Sequence, residues 1–259
     1  MGGQGMALFV KESGNGGTAP VVLLHGFGAS HAVWAGIAER LGRETAVLAY
    51  DLPGHGGSFG FPDAGPPKVA ASAILADLAA RGIARAHLVG HSMGGAIAAL
   101  MGLIEPQRVA SLTLLAPGGF GPEINQRLLI RYAAAADEAT LEACLEAMFG
   151  WFSAVPEGLA GTLLADRAAP GRREKLQAMA AGLARDGRQG MLPRDRLAAL
   201  SIPAMVAWGG LDNVLPARHA QDLPEGYGSR LFPDLGHMLP EEAPDEVLAL
   251  IRHSAGLAG

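Results

Sequence analysis

Hydrophobic positions along this chain fall into short unbroken runs, separated by stretches with helical spacing. Val21-Val22-Leu23-Leu24, Ala46-Val47-Leu48-Ala49-Tyr50, Ala86-His87-Leu88-Val89, Leu112-Thr113-Leu114-Leu115 and Ala204-Met205-Val206-Ala207-Trp208 all have strand length. Apolar runs without alternation are expected of strands buried on both faces of a parallel sheet. Arg230-Leu231-Phe232 is a weaker sixth run, and residues 6–12 predict an edge strand. Helical patterns lie between the runs, over residues 32–41, 69–81, 95–104, 217–223 and 241–255. This alternation predicts an α/β fold with a doubly wound, mostly parallel sheet and helices on both faces.

One region breaks the rhythm. Residues 121–200 contain no convincing strand, but show helical patterns over 128–136, 139–152 and 172–185. In the second of these, Leu141, Leu145, Met148, Phe149 and Phe152 recur at helical spacing. An all-helical insertion between two sheet strands reads as a cap over the strand ends, shaping a pocket and excluding water. The expected organisation is a core of residues 1–120 and 201–259, with a helical cap of 121–200 inserted in it. Phe149, Trp151 and Phe152 are candidates to line the pocket, against the simpler reading that they pack the cap onto the sheet.

Composition narrows the function classes. The 259 residues are 49% hydrophobic and 17% charged, with a formal net charge of -5. No basic surface or like-charge run points to a nucleic-acid or anionic-membrane partner. Cys144 is the single cysteine, so no intramolecular disulfide can form, which fits a reducing, cytoplasmic setting. The glycine-rich start, Met1 to Met6, lacks the charged and apolar regions of a signal peptide and reads as a leader. The one long apolar stretch, residues 87–104, is interrupted by His91, Ser92 and glycines, so it reads as strand-turn-helix rather than a membrane span.

That stretch also carries the strongest chemical signal. Gly90-His91-Ser92-Met93-Gly94-Gly95 places a serine between a strand and a helix, framed by residues without side-chain bulk. This is the pattern of a nucleophile elbow, in which the serine backbone is held in a strained turn. A serine hydroxyl needs a base, and the base needs an orienting acid. Asp212 follows the fifth run in Trp208-Gly209-Gly210-Leu211-Asp212, and His237 follows the sixth in Leu235-Gly236-His237. The order Ser92, Asp212, His237 is that of a hydrolase built on such a sheet. Glu123 is the rival acid. His31, His219 and His253 are expected at the surface, while His25 and His55 are expected to be mainly structural. An oxyanion needs preorganised donors, and the backbone N–H groups of Phe27, in His25-Gly26-Phe27-Gly28, and of Met93 are the expected pair. The glycine-rich Asp51-Leu52-Pro53-Gly54-His55-Gly56-Gly57-Ser58 lacks a phosphate-binding pattern and reads as a tight turn near the site. No metal site and no cofactor are expected, although His25, His55 and His91 could meet in space.

These five motifs together resemble the α/β-hydrolase superfamily of serine hydrolases, over nearly everything from Val21 to Ile251. The resemblance implies a mostly parallel eight-stranded sheet, no cofactor and acyl-enzyme chemistry. Haloalkane dehalogenases and epoxide hydrolases of this fold carry an aspartate where Ser92 stands here. Residues 111–125, Ser-Leu-Thr-Leu-Leu-Ala-Pro-Gly-Gly-Phe-Gly-Pro-Glu-Ile-Asn, further resemble the hydrolase-like portion of acetoin dehydrogenase acetyltransferase components. Those components carry a lipoyl domain ahead of it, for which the stretch before Val21 is too short. The expected activity is serine carboxylic-ester hydrolysis of a small-molecule or polymeric ester. Acyl transfer or thioester hydrolysis with the same triad, carbon–carbon hydrolysis, and ligand binding with weak turnover are the alternatives.

Overall fold

The computed structural model describes residues 7–257. The predicted leader, and Met6 of the predicted edge strand, lie outside the described residues. Seven strands form one sheet: β1 (Val10–Ser13), β2 (Val21–Leu24), β3 (Val47–Tyr50), β4 (Ala86–His91), β5 (Val109–Leu115), β6 (Ala204–Gly209) and β7 (Gly228–Phe232). Their order is β1-β3-β2-β4-β5-β6-β7, and only β1 runs antiparallel to its neighbour. Where eight strands were implied, the described residues make seven. Residues 7–9 add no strand outside β1, whose one partner in the sheet is β3.

Every residue of β2 and β3 is buried, as their unbroken apolar runs require. The period of two then sorts them onto two cores. Val22, Leu24, Leu48 and Tyr50 face α2 (Pro67–Ala80) and α3 (Met93–Ile104), where Ile74, Leu78, Ile97 and Met101 await them. Val21, Leu23, Val47 and Ala49 face Trp34, Ile37 and Leu41 of α1 (Ala35–Leu41) and its preceding turn. Val247, Leu248 and Ile251 of the C-terminal helix complete this second core.

Strand order reverses around β2: the chain steps outward to β3, then returns to β4 on the other side. A crevice opens beyond the strand ends at such a switch point. The loops leaving β2 and β4, which carry Phe27 and Ser92, meet there.

Residues 126–198 hold five helices: α4 (Gln126–Ala134), α5 (Glu138–Glu146), α6 (Leu159–Arg167), α7 (Arg172–Gly182) and α8 (Arg194–Ala198). Asn125 and Asp137 start α4 and α5 with side-chain caps onto the N–H groups of Leu128 and Thr140. The helix predicted to reach residue 152 stops at Glu146. Beyond it, Gly150 packs so tightly on the backbone of residues 234–236 that a side chain there would collide with it. Phe149 consequently points into the core, while Trp151 and Phe152 are 84% and 82% exposed. The pattern predicted over 241–255 is also broken. Pro244 ends a single turn, α9 (Leu239–Glu242), and opens α10 (Pro244–Ala255). The helix expected over 217–223 is a short 3-10 turn at Ala217–Ala220. Among the described residues, no helix is long and apolar enough to cross a membrane.

Candidate active site

Ser92 has φ 54° and ψ −114°, a left-handed conformation that costs about 1–3 kcal/mol in a residue with a side chain. Its surroundings enforce the strain. The Ser92 N–H donates to the Leu115 carbonyl on β5 at 2.8 Å, and its carbonyl accepts from Ala96 and Gly118. A side chain on Gly90 would collide with the Gly94 carbonyl, and one on Gly94 with the Leu24 carbonyl. The two glycines therefore allow α3 to start directly over the ends of β2 and β4. Gly26 approaches from the β2 loop, where an added Cβ would lie 3.4 Å from the Ser92 Cβ.

Asp212 and His237 leave the ends of β6 and β7. Asp212 Oδ2 lies 2.7 Å from His237 Nδ1, with the acid side chain fully buried and the imidazole 4% exposed. The rest of the carboxylate is also occupied. Its Oδ1 accepts the N–H groups of Val214 and Leu215, both at 2.8 Å, and Oδ2 accepts Trp208 Nε1 at 3.1 Å. Four donors hold the oxygens in place, so the carboxylate fixes the proton of His237 on Nδ1 and leaves Nε2 as an acceptor. His237 and Ser92 line the same cavity.

Glu123, the rival acid, is elsewhere. It binds His219 Nε2 at 2.7 Å and Arg218 at 2.9 Å, and these bonds, Arg218 first, hold its carboxyl down at about 2. His219 was expected at the surface, but it is buried against the Trp208 ring, where Glu123 reaches it. His253 is exposed, and half-buried His31 binds the buried Asp51 carboxylate at 2.8 Å.

His25, His55 and His91, at the ends of β2, β3 and β4, are neutral fasteners. His25 donates from Nδ1 to the Gly26 carbonyl and accepts the Leu52 N–H on Nε2. His55 pairs Nδ1 with the Pro53 carbonyl and Nε2 with the Gly28 N–H. His91 donates from Nε2 to the His237 carbonyl at 2.8 Å. Burial lowers all three, to about 4 for His25 and about 3 for His55 and His91. With these nitrogens bound to backbone, no set of three or more potential metal ligands converges among the described residues. Unfolding returns the three rings to an ordinary value near 6.5, so the unfolded chain binds more protons below that pH. Stability contributed by the neutral rings is present above about pH 6.5 and is lost as pH falls toward 4. Thermal melts at pH 7, 6 and 5 should show a falling Tm, and exchanging His55 for glutamine should flatten that fall.

Two positioning residues had no signal in the motifs. Glu242 of α9 accepts the N–H groups of Gly150, Gly236 and Met238 at 2.8–3.0 Å, fastening the His237 loop from both sides. Tyr132 of α4 donates to the Gly28 carbonyl at 3.2 Å, with the Arg167 guanidinium 4.1 Å over its ring. Glu242→Gln leaves one oxygen for three donors. It should cost about 1–3 kcal/mol in chemical denaturation and lower activity without removing it.

The sheet order agrees with the comparisons with known proteins. A model of the alpha/beta hydrolase family matches residues 21–250. The chain belongs to that family. It is 35% identical over 248 residues to the dihydrolipoyllysine-residue acetyltransferase component of the acetoin cleaving system of Cupriavidus necator, covering 93% of this chain and 64% of that protein. The chain thus spans less than two thirds of that relative. The pimeloyl-[acyl-carrier protein] methyl ester esterase of Chromobacterium violaceum is 32% identical and covers 96% of this chain and 98% of its own length. Among solved structures, a meta-cleavage product hydrolase from Pseudomonas fluorescens superposes with a TM-score of 0.84 at 20% identity, covering 96% of this chain and 94% of its own, which shows the shared fold.

Two cavities flank Ser92 in this alpha/beta hydrolase. The smaller, about 350 Å³, is lined by His237, Glu157 and Glu241 among others, but by no lysine or arginine. The larger, about 760 Å³, contains Met93, Lys68 and Lys175, but no acidic residue. Ser92, Phe27 and Leu129 belong to both walls. Phe27 follows Gly26 in the β2 loop, and Met93 opens α3, so its N–H has no acceptor within the helix. Phe149, Trp151 and Phe152 line neither cavity. Met148, not singled out for the pocket, reaches the smaller one because the helix ends two residues before it.

Proposed function

We propose that this chain is a serine carboxylic-ester hydrolase. The observation that carries this reading is the saturated Asp212 carboxylate 2.7 Å from His237, in a cavity shared with a strained Ser92. His237 Nε2 takes the Ser92 hydroxyl proton as Oγ attacks the ester carbonyl. Negative charge gathers on the carbonyl oxygen, where the N–H groups of Phe27 and Met93 hold it. Collapse of the adduct breaks the bond to the leaving alcohol, which receives the proton from His237. A water then gives its proton to His237, attacks the acyl-enzyme and releases the acid, restoring Ser92. Asp212 keeps the imidazole oriented and stabilises its charged form. Helices α4–α8 act as the cap, supplying apolar walls such as Leu129, Leu159 and Met179.

The methyl ester esterase relative, aligned over nearly its whole length, supports this reading over its neighbours. The acetyltransferase relative gives acyl transfer as the second reading, using the same acyl-enzyme with a thiol or alcohol in place of water. One experiment separates them. The purified chain is incubated with p-nitrophenyl esters of increasing acyl length, with and without added alcohol and thiol acceptors, and the products are partitioned. Acid as the main product supports hydrolysis, while predominant transfer in water supports the second reading. Failure of a fluorophosphonate to label Ser92 overturns both.

A further inference from the structure

The proposed chemistry leaves one carboxyl in the smaller cavity without a task. Glu241 lies on α9, four residues beyond His237, and lines the cavity that holds Ser92 and His237. Glu241 is partly exposed, while its Oε2 is closed off and has no hydrogen-bond partner among the described residues. A buried polar atom left unpaired calls for a physical reason, because it costs free energy that a well-packed apolar residue would avoid. Neighbouring Glu242 accepts three backbone donors, whereas Oε2 of Glu241 accepts none.

The surroundings define what would satisfy it. Much of the rest of the cavity wall is apolar, including Phe27, Val33, Leu129, Met148, Leu159 and Leu163. Tyr132 is the charge-sensitive neighbour from the opposing helix, and its hydroxyl is committed to the Gly28 carbonyl. Glu157 is the other carboxyl of the cavity and is exposed. Burial pushes the Glu241 carboxyl up to about 8, opposed by its own backbone N–H and aided by the Glu242 charge. This shift favours the uncharged acid, which can donate one hydrogen bond and accept others. An anionic substrate group would find no cation here, and an ammonium would be dehydrated against apolar walls.

We infer that Glu241 sets the specificity of the smaller cavity, by exchanging hydrogen bonds with a hydroxyl on the substrate portion that enters it. The inference rests on the serine hydrolase reading for which portion that is, because either the acyl or the alcohol side can face the smaller cavity.

Two matched pairs of esters cover both orientations: ethyl butanoate against 2-hydroxyethyl butanoate, and ethyl butanoate against ethyl 3-hydroxybutanoate. The ratio of kcat/KM within each pair is measured for the wild type, Glu241→Leu and Glu241→Gln. The wild type should favour the hydroxylated ester in one pair. Leucine should shift that ratio toward the plain ester by about tenfold or more, while glutamine, which keeps a donor and an acceptor, retains the preference. The wild type should also show a limb near pH 8 in kcat/KM that Glu241→Gln lacks. Should Glu241→Leu fail to fold, Glu241→Met supplies a second apolar side chain of similar length. The same pairs are then titrated by equilibrium dialysis onto Ser92→Ala with and without Glu241→Leu, which reads the cavity whether or not the chain turns esters over. Unchanged ratios in both pairs, in turnover and in binding, overturn the role of Glu241. Hydrolysis that persists in Ser92→Ala overturns the serine reading instead, and leaves the binding ratios to decide for Glu241.

Discussion

Replacing Ser92 with alanine is expected to lower ester turnover by about 10⁴-fold or more while leaving the fold intact. The expectation combines two features of the elbow. Of the three residues common to both cavity walls, Ser92, Phe27 and Leu129, Ser92 alone carries a hydroxyl. Its conformation is also one that alanine tolerates no better, since both carry a Cβ at positive φ. Stability should then change by well under the roughly 1–3 kcal/mol stored in that turn, and circular dichroism melts of the two proteins should nearly overlie. Turnover within a factor of ten of wild type would show that Ser92 is not the nucleophile.

Asp212→Asn is expected to cost about 10⁴-fold in kcat, for a reason visible in the hydrogen bonds. The Val214 and Leu215 N–H groups claim one oxygen of Asp212, so the asparagine carbonyl should settle there. Its NH₂ would then face the His237 Nδ1–H, while Trp208 Nε1–H keeps its nearer acceptor, the Leu215 carbonyl at 2.9 Å. The imidazole escapes by moving its proton to Nε2, the atom that must receive the serine proton. Equal turnover in wild type and Asp212→Asn would remove Asp212 from its role. A loss in folding without a loss in turnover per folded molecule would make it purely structural.

Much of this was legible in the chain because it is written in short-range terms. Apolar runs located the strands from β2 to β6 and a weaker one located β7, and the glycine frame around Ser92 located the elbow. Asp212 and His237 could be placed at strand ends by order alone. What escaped depended on partners far away in sequence. Glu242 is an ordinary acidic residue until Pro244 breaks the helix and turns it back onto Gly150, 92 residues earlier. His219 looked solvated because it adjoins a polar helical pattern, but Glu123 and Trp208 close over it. The aromatic run after Leu145 kept helical spacing, yet the close approach of Gly150 to the His237 loop ended the helix and turned Trp151 and Phe152 outward. An eighth strand was implied by resemblance, and the described residues place β1 directly on β3 without one.

The hydrogen bond from the His237 N–H to the Met148 carbonyl, 2.7 Å long, has an evolutionary consequence. Most of the chemical apparatus hangs from the sheet, and its loops are fastened to one another by neutral histidines. About half of the cavity wall comes from the segment between β5 and β6. Such a division lets new substrates be explored by rewriting the helices while the chemistry is inherited unchanged. Met148 is where that freedom ends. It offers a side chain to the cavity and a carbonyl to the base, so its side chain can drift with substrate while its backbone cannot. Lineages that exchange the helical segment wholesale must supply an acceptor at this one point, or rebuild the histidine loop.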